Sequence, residues 1–119
     1  MLGLLAKPVH AADLTGTWQT APDAKAQTGH VQITPCGATL CGTVVRAFDH
    51  TGRPIVTANV GKRILWDVKA SGATGTGRVY VPVMSRDFPV RLVARGNRLD
   101  LKACNALGIC KSQVWNRVN

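Results

Sequence analysis

Four cysteines are the residues of this chain best equipped for chemistry, and they stand as two close pairs, Cys36 with Cys41 and Cys104 with Cys110. Two chemistries suit such pairs: oxidation to disulfides, or coordination of zinc by thiolates. Cys-x4-Cys lies within zinc-ligand spacing, whereas Cys-x5-Cys does not fit. Four cysteines admit three disulfide pairings. Local pairing, Cys36–Cys41 and Cys104–Cys110, is the preferred one. Each pair flanks a turn-like segment, Gly37-Ala38-Thr39-Leu40 in the first and Asn105-Ala106-Leu107-Gly108-Ile109 in the second. Loops that short would contribute roughly 2 kcal/mol each by restricting the unfolded chain.

Catalytic groupings are scarce. All six acidic residues are aspartates (Asp13, Asp23, Asp49, Asp67, Asp87 and Asp100), and no two lie near each other in sequence as an acid/base pair would. His30 and His50 could each reach a serine in space, yet no nucleophile motif surrounds Ser71, Ser85 or Ser112. Asp49-His50 as a metal fragment is a two-residue signal and reads better as a turn. Gly72, Gly75 and Gly77 lack the Lys-Ser/Thr of a phosphate loop. Cysteines held in disulfides are no nucleophiles. The residues therefore predict no catalytic site, no bound metal and no cofactor.

Charge is the other chemical feature. Lys and Arg number 15 against 6 acids, a formal net charge of +9. Arg86, Arg91, Arg95 and Arg98 gather around one predicted hairpin, with Lys62, Arg63, Lys69 and Arg78 elsewhere. Such a field favours anionic partners: phospholipid headgroups, lipopolysaccharide or nucleic acid. Sequence-tolerant nucleic-acid binding needs aromatic platforms between the charges. Beyond the three tryptophans there are only Phe48, Phe88 and Tyr80, which argues against nucleic acid. A solvated basic face is the plain alternative.

The elements that must position these residues are strands. A chain without Glu, rich in Thr, Val and Gly, is poor material for long helices. The best helical stretch is Asp23 to Gln27, one turn at most. Elsewhere short alternating runs are cut by Gly, Pro, Asn and Asp. Strands are predicted at Gly16 to Gln19, His30 to Thr34, Leu40 to Phe48, Pro54 to Val56, Lys62 to Val68, Thr76 to Val81, Phe88 to Arg95, Arg98 to Ala103 and Ser112 to Val118. In Phe88 to Arg95, Phe88, Val90, Leu92 and Ala94 share one face and Arg91 and Arg95 the other. Gly96-Asn97 turns the chain, and Leu99, Leu101 and Ala103 then point inward. Eight or nine strands, each with one apolar face, make a sheet buried on one side. Closing that sheet on itself removes its edges, so a small antiparallel barrel is the economical arrangement; a two-sheet sandwich is the alternative.

Closure has a consequence for the ends of the chain. In the last strand Gln113, Trp115 and Arg117 share a face. If the first and last strands pair, Arg117 can lie over the ring of Trp18, a cation–π contact of roughly 0.5–2 kcal/mol. Otherwise Trp18 and Trp115 are two unrelated core residues.

Residues 1–12 end like a secretory signal: an apolar run from Met1 to Ala6, then Val9-His10-Ala11 or the following Ala12 as a small-residue cleavage site. Residues 13–119 then form a single domain. Export to an oxidising compartment favours disulfides over zinc. No other stretch approaches the ~18 apolar residues of a membrane-spanning helix.

Gly16-Thr17-Trp18 near the start with Arg117 near the end resembles the calycin pattern of lipocalins. More specifically, a series of landmarks resembles an exported bacterial domain-of-unknown-function family, number 2147. They are Gly16-Thr17-Trp18, Cys36-Gly37-x3-Cys41-Gly42, Gly61-Lys62-Arg63-Ile64-Leu65, Gly77-Arg78-Val79-Tyr80-Val81-Pro82, Leu99-Asp100-Leu101-Lys102-Ala103-Cys104 and Cys110-x2-Gln113-x-Trp115-x-Arg117. The resemblance covers residues 14–118. It implies a lipocalin-like antiparallel barrel, an envelope location (periplasmic or secreted) and no established activity. The segment before Gly61 is shorter than usual for that family, and Ala103 stands where Gly is frequent; both departures fall at one rim of the barrel.

A barrel of this kind would hold a small apolar or amphipathic ligand, an anionic headgroup meeting the basic rim. The predicted walls are Val79, Val81, Phe88, Val90, Leu92, Leu99 and Leu101. The alternative is a solid-core module that docks on another envelope component through its basic surface, since small barrels can be filled by their own side chains. A lumen of ~300 Å³ or more separates the two.

Overall fold

The computed structural model describes residues 13–119; the signal read in residues 1–12 lies outside them. Nine strands follow one another: β1 (Gly16–Gln19), β2 (Thr28–Cys36), β3 (Thr39–Phe48), β4 (Pro54–Ile55), β5 (Arg63–Ser71), β6 (Thr74–Val81), β7 (Arg86–Arg95), β8 (Arg98–Cys104) and β9 (Cys110–Arg117). All pairings are antiparallel. The sheet order is β2-β1-β9-β8-β7-β6-β5-β3-β4, and β2 also pairs with β3. Eight strands therefore form a closed ring, while β4 is a two-residue addition at the end of β3, through Ala47↔Ile55 and Phe48↔Pro54. The ring closes where β1 meets β9, through Trp18↔Arg117 and Gln19↔Asn116. The expected closed barrel is the fold, and the two-sheet sandwich is set aside.

One end of the barrel is made of tight hairpins. Gly37-Ala38 joins Cys36 to its ladder partner Thr39, Gly72-Ala73 joins Ser71 to Thr74, and Gly96-Asn97 joins Arg95 to Arg98. In all three the first turn residue is glycine with positive φ (70°, 62° and 64°). A glycine in that place is what a two-residue II′ hairpin requires, so the order Gly-Asn is as good a signal as Asn-Gly.

The same end is filled. Leu14, Trp18, Leu92 and Leu99 are fully buried there. Asp13 and Leu14 have helical backbone, and Trp18 Nε1 donates to the Leu14 carbonyl at 3.0 Å. Gly75, the ladder partner of Leu92, leaves the space that Leu14 enters: a Cβ there would lie 2.8 Å from Leu14 Cδ1. Arg117 lies over Trp18 with Cζ 4.2 Å from the ring centre. Its Nη1 and Nη2 donate to the carbonyls of Thr15 and Asp13 at 2.9 and 3.0 Å. Gly16 in the Gly-x-Trp landmark is explained by the same contact. Its φ is +127°, and a Cβ on it would lie 2.7 Å from Arg117 Nη1.

Both disulfides have the expected local connectivity, Cys36–Cys41 at the hairpin end and Cys104–Cys110 at the opposite end. Several boundaries differ from the expectation. β2 runs on through Pro35, which pairs with Leu40 in β3 but lies beyond the reach of β1, whose pairing stops at Gly16↔Ile33. The loop expected at Ser71 to Gly75 is only the two-residue turn. Asp23 to Gln27 is no helical turn: Asp23 Oδ1 accepts the Lys25 and Gln27 N–H groups, and Ala26 takes φ 59°. A side chain that captures nearby backbone donors competes with the helix for them. Pro82–Met84 forms a short 3₁₀ turn after β6, ended by Ser85 at φ 50°.

Candidate ligand cavity at the barrel mouth

At the end opposite the hairpins the barrel is open. The strands are joined there by longer connections: residues 20–27, residues 49–62, the Pro82–Met84 turn and the disulfide loop 105–109. Between them a cavity of about 360 Å³ runs into the barrel. Its inner walls are Val31, Val44, Val79, Val90, Leu101 and Trp115, inward along β2, β3, β6, β7, β8 and β9, and Ile64, which a register shift between β3 and β5 buries beside the inward Leu65. Nearer the opening stand Tyr80, Val81, Pro82, Met84, Phe88, Ala103 and Ile109.

Of the predicted wall residues, Val79, Val81, Phe88, Val90 and Leu101 line this space. Leu92 and Leu99 do not; both are fully buried in the filled end. Sequence reasoning missed Val31, Val44 and Trp115, although each lies at an inward position of a predicted strand, and Ile64, which a register shift buries beside Leu65 where alternation gives no sign of it. It also missed Met84 and Ile109, which sit in connections where no alternation marks a face.

The cavity is apolar in depth and polar at its edge. Lys111 is the cation in its lining and Asp23 the anion. Asp23 is engaged by its own turn, as described, which leaves Lys111 Nζ as the charge able to meet an incoming anion. Trp115 Nε1 donates to Gln113 Oε1 at 2.9 Å, so the indole presents only its apolar surface inward. Lys62 Nζ lies 5.9 Å from the centre of the Tyr80 ring. Among the described residues no buried side-chain N or O lacks a hydrogen-bond partner. Nothing polar in the depth of the cavity therefore demands a polar occupant.

The arginine cluster does not rim this opening. Arg86 begins β7 at the mouth, Arg91 is exposed midway, and Arg95 and Arg98 flank the hairpin at the far end. Asp100 binds both of the last two at 2.8 Å, and these hydrogen bonds hold its carboxyl below the usual range. Arg78 pairs with Asp87 at 2.8 Å on the outer wall. Alternation places Arg91, Arg95 and Arg98 outward at different heights, whereas Arg86 has the parity of Phe88 and Val90 and is exposed at the very start of β7.

His30 and His50 take no part in the cavity lining. His30 packs against Phe48 with the rings tilted by 55° and their centres 4.7 Å apart. Burial and the nearby Arg46 lower its pKa. His50 is exposed in the turn that Asp49 organises by accepting from Thr51 and Arg53. Among the described residues no hydrogen bond joins either histidine to Ser71, Ser85 or Ser112. No group of three or more His, Cys, Asp or Glu there could hold a metal ion. No helix there is long and apolar enough to cross a membrane.

A solved structure of a lipocalin-family protein, HP1028 from the human pathogen Helicobacter pylori, has the same fold. The likeness has a TM-score of 0.68 at 16% identity and covers 89% of this chain and 83% of that one. No curated protein matches the sequence. The family model for an uncharacterized protein conserved in bacteria (DUF2147) matches residues 16–117, which includes every strand of the ring, and the chain belongs to that family.

Proposed function

We propose that this chain is a binding protein of the cell envelope, or a secreted one, that holds a small apolar or amphipathic molecule in the mouth cavity. The observation that carries the reading is the contrast between the two ends of one barrel. One end is packed solid by Leu14, Trp18, Leu92 and Leu99, while the other keeps about 360 Å³ open between apolar walls. That volume falls within the range of small-molecule sites. An acidic headgroup on the ligand would meet Lys111 at the opening. Two disulfides and the signal-like residues 1–12 support an oxidising compartment. The solid-core alternative would need the inward side chains to fill the lumen, and at the mouth they do not.

Native mass spectrometry of protein purified from its own host tests this directly: a retained mass that dissociates on denaturation is expected. In vitro, anilinonaphthalene sulfonate should bind saturably, one molecule per chain. Ala103→Trp, which puts an indole into the cavity, should abolish that uptake. Uptake that survives Ala103→Trp would place the ligand elsewhere.

A further inference from the structure

We propose that the barrel mouth docks on the surface of a bilayer that contains anionic phospholipid. The first observation is where the exposed large apolar side chains lie. Of nine among the described residues, six (Val56, Val60, Val83, Met84, Leu107 and Ile109) stand on three of the four connections around the mouth, with Val56, Val83 and Leu107 exposed by 95%, 87% and 85%; Val45 and Val114 lie on the outer wall and Val118 follows β9 at the other end. The hairpins at the other end carry Gly-Ala, Gly-Ala and Gly-Asn at their tips. One end of the same barrel is thus apolar at its tips and the other is not. Exposed apolar groups gathered at one place mark an interaction site.

The second observation is how the tips are built. The Leu107 and Ile109 N–H groups both donate to Asn105 Oδ1, and the Gly108 N–H donates to the Asn105 carbonyl. Pro82 has no N–H to donate, and its carbonyl accepts the Ser85 N–H. The Asn59 and Val60 N–H groups go to Thr57 Oγ1 and its carbonyl. Each tip satisfies these backbone donors internally while presenting apolar side chains outward.

The third observation is charge. Lys111 lines the opening, Arg53 lies in the connection from β3 to β4 and Arg86 begins β7 beside the mouth, within a chain of formal charge +9. Of the nearby aspartates, Asp23 and Asp49 bind backbone N–H groups and Asp87 is paired with Arg78. Apolar tips set among cations fit an anionic headgroup layer, where each basic residue adds to binding and each inserted side chain anchors it.

The test is flotation with vesicles of phosphatidylcholine alone and with phosphatidylglycerol added. Binding should require phosphatidylglycerol and weaken as salt is raised. Val83→Ser with Leu107→Ser should lower the partition coefficient by tenfold or more, on the order of what burying one Leu side chain supplies. Arg53→Gln with Arg86→Gln should lower it by roughly tenfold at low salt. Val45→Ser, on the outer barrel wall, should leave it unchanged. No flotation with anionic vesicles overturns the proposal, as does flotation indifferent to both loop pairs. Sedimentation equilibrium showing that Val83 and Leu107 instead hold two copies together, with no vesicle binding, overturns it too. Neither Val83 nor Leu107 lines the cavity, so Val83→Ser with Leu107→Ser should keep dye uptake, and Ala103→Trp should keep flotation. Failure of docking and failure of ligand binding are thereby read separately.

Discussion

Arg117 and Trp18, separated by nearly the whole chain, face each other at the seam of the barrel with the guanidinium carbon 4.2 Å from the indole ring centre. The same guanidinium donates to the carbonyls of Thr15 and Asp13. Arg117→Ala should therefore cost about 1–2 kcal/mol in denaturant unfolding, from lost stacking and stem packing. Arg117→Lys should recover only part, since one ammonium cannot stack flat and serve two carbonyls at once. Trp18→Ala should cost about 3–5 kcal/mol as a truncation of a fully buried aromatic. In the double mutant the losses should fall short of their sum. A strictly additive cycle would show that the stacked pair contributes nothing.

The two ends of the barrel should respond differently to truncation. Leu92→Ala, in the filled end, is expected to cost about 2–5 kcal/mol yet leave dye uptake intact. Ala103→Trp should abolish uptake while changing stability by less, because it enters space already empty. Unfolding curves and dye titrations on the same two proteins provide the comparison.

The disulfides divide in the same way. Replacing either cysteine pair by serine should cost about 2 kcal/mol, since the closed loops are of similar length. Only loss of Cys104–Cys110 should weaken dye binding, because the loop it closes brings Ile109 to the cavity. Equal dye affinity in the two variants would refute that distinction.

His30 gives a pH dependence. Burial, and then the charge of Arg46, lower its pKa in the folded state. As pH falls through about 6.5, the unfolded chain takes up this proton before the folded one does. Stability should thus be independent of this group above that pH and should decline below it, down to the folded pKa. His30→Gln should flatten the fall in Tm between about pH 7 and 5. A steeper fall in the variant would mean that the sign is wrong.

The strands were legible because alternation is a local signal. Phe88 to Arg95 and Arg98 to Ala103 read inward and outward residue by residue, as they are buried. The contact of Trp18 with Arg117 followed once closure was assumed. Height along the barrel axis was not legible. Val90 and Leu92 share a face and look equivalent in sequence, yet one lines the cavity and the other packs the filled end. That difference depends on how neighbouring strands are staggered, a property of the closed ring and of no single segment. Leu14 was missed for a related reason: it precedes β1, outside any alternating run, and its burial depends on the space beside Gly75. Asp23 to Gln27, the best helical stretch in the sequence, is a turn because the aspartate at its start captures the backbone donors that follow it.

The seam between β1 and β9 also bears on how the chain reaches this fold. Most of the ring is made of hairpins between consecutive strands, which can zip as soon as each turn forms. The seam around Trp18 and Arg117 spans almost the full sequence, so closing it carries a loop-closure entropy larger than that of any hairpin in the ring. The barrel is then expected to be an open, curled sheet late in folding, with the β1–β9 seam the last pairing to close and the first to open. In hydrogen exchange of the native protein, amides of β1 and the end of β9 should open at lower free energy than those of the β6–β7–β8 meander.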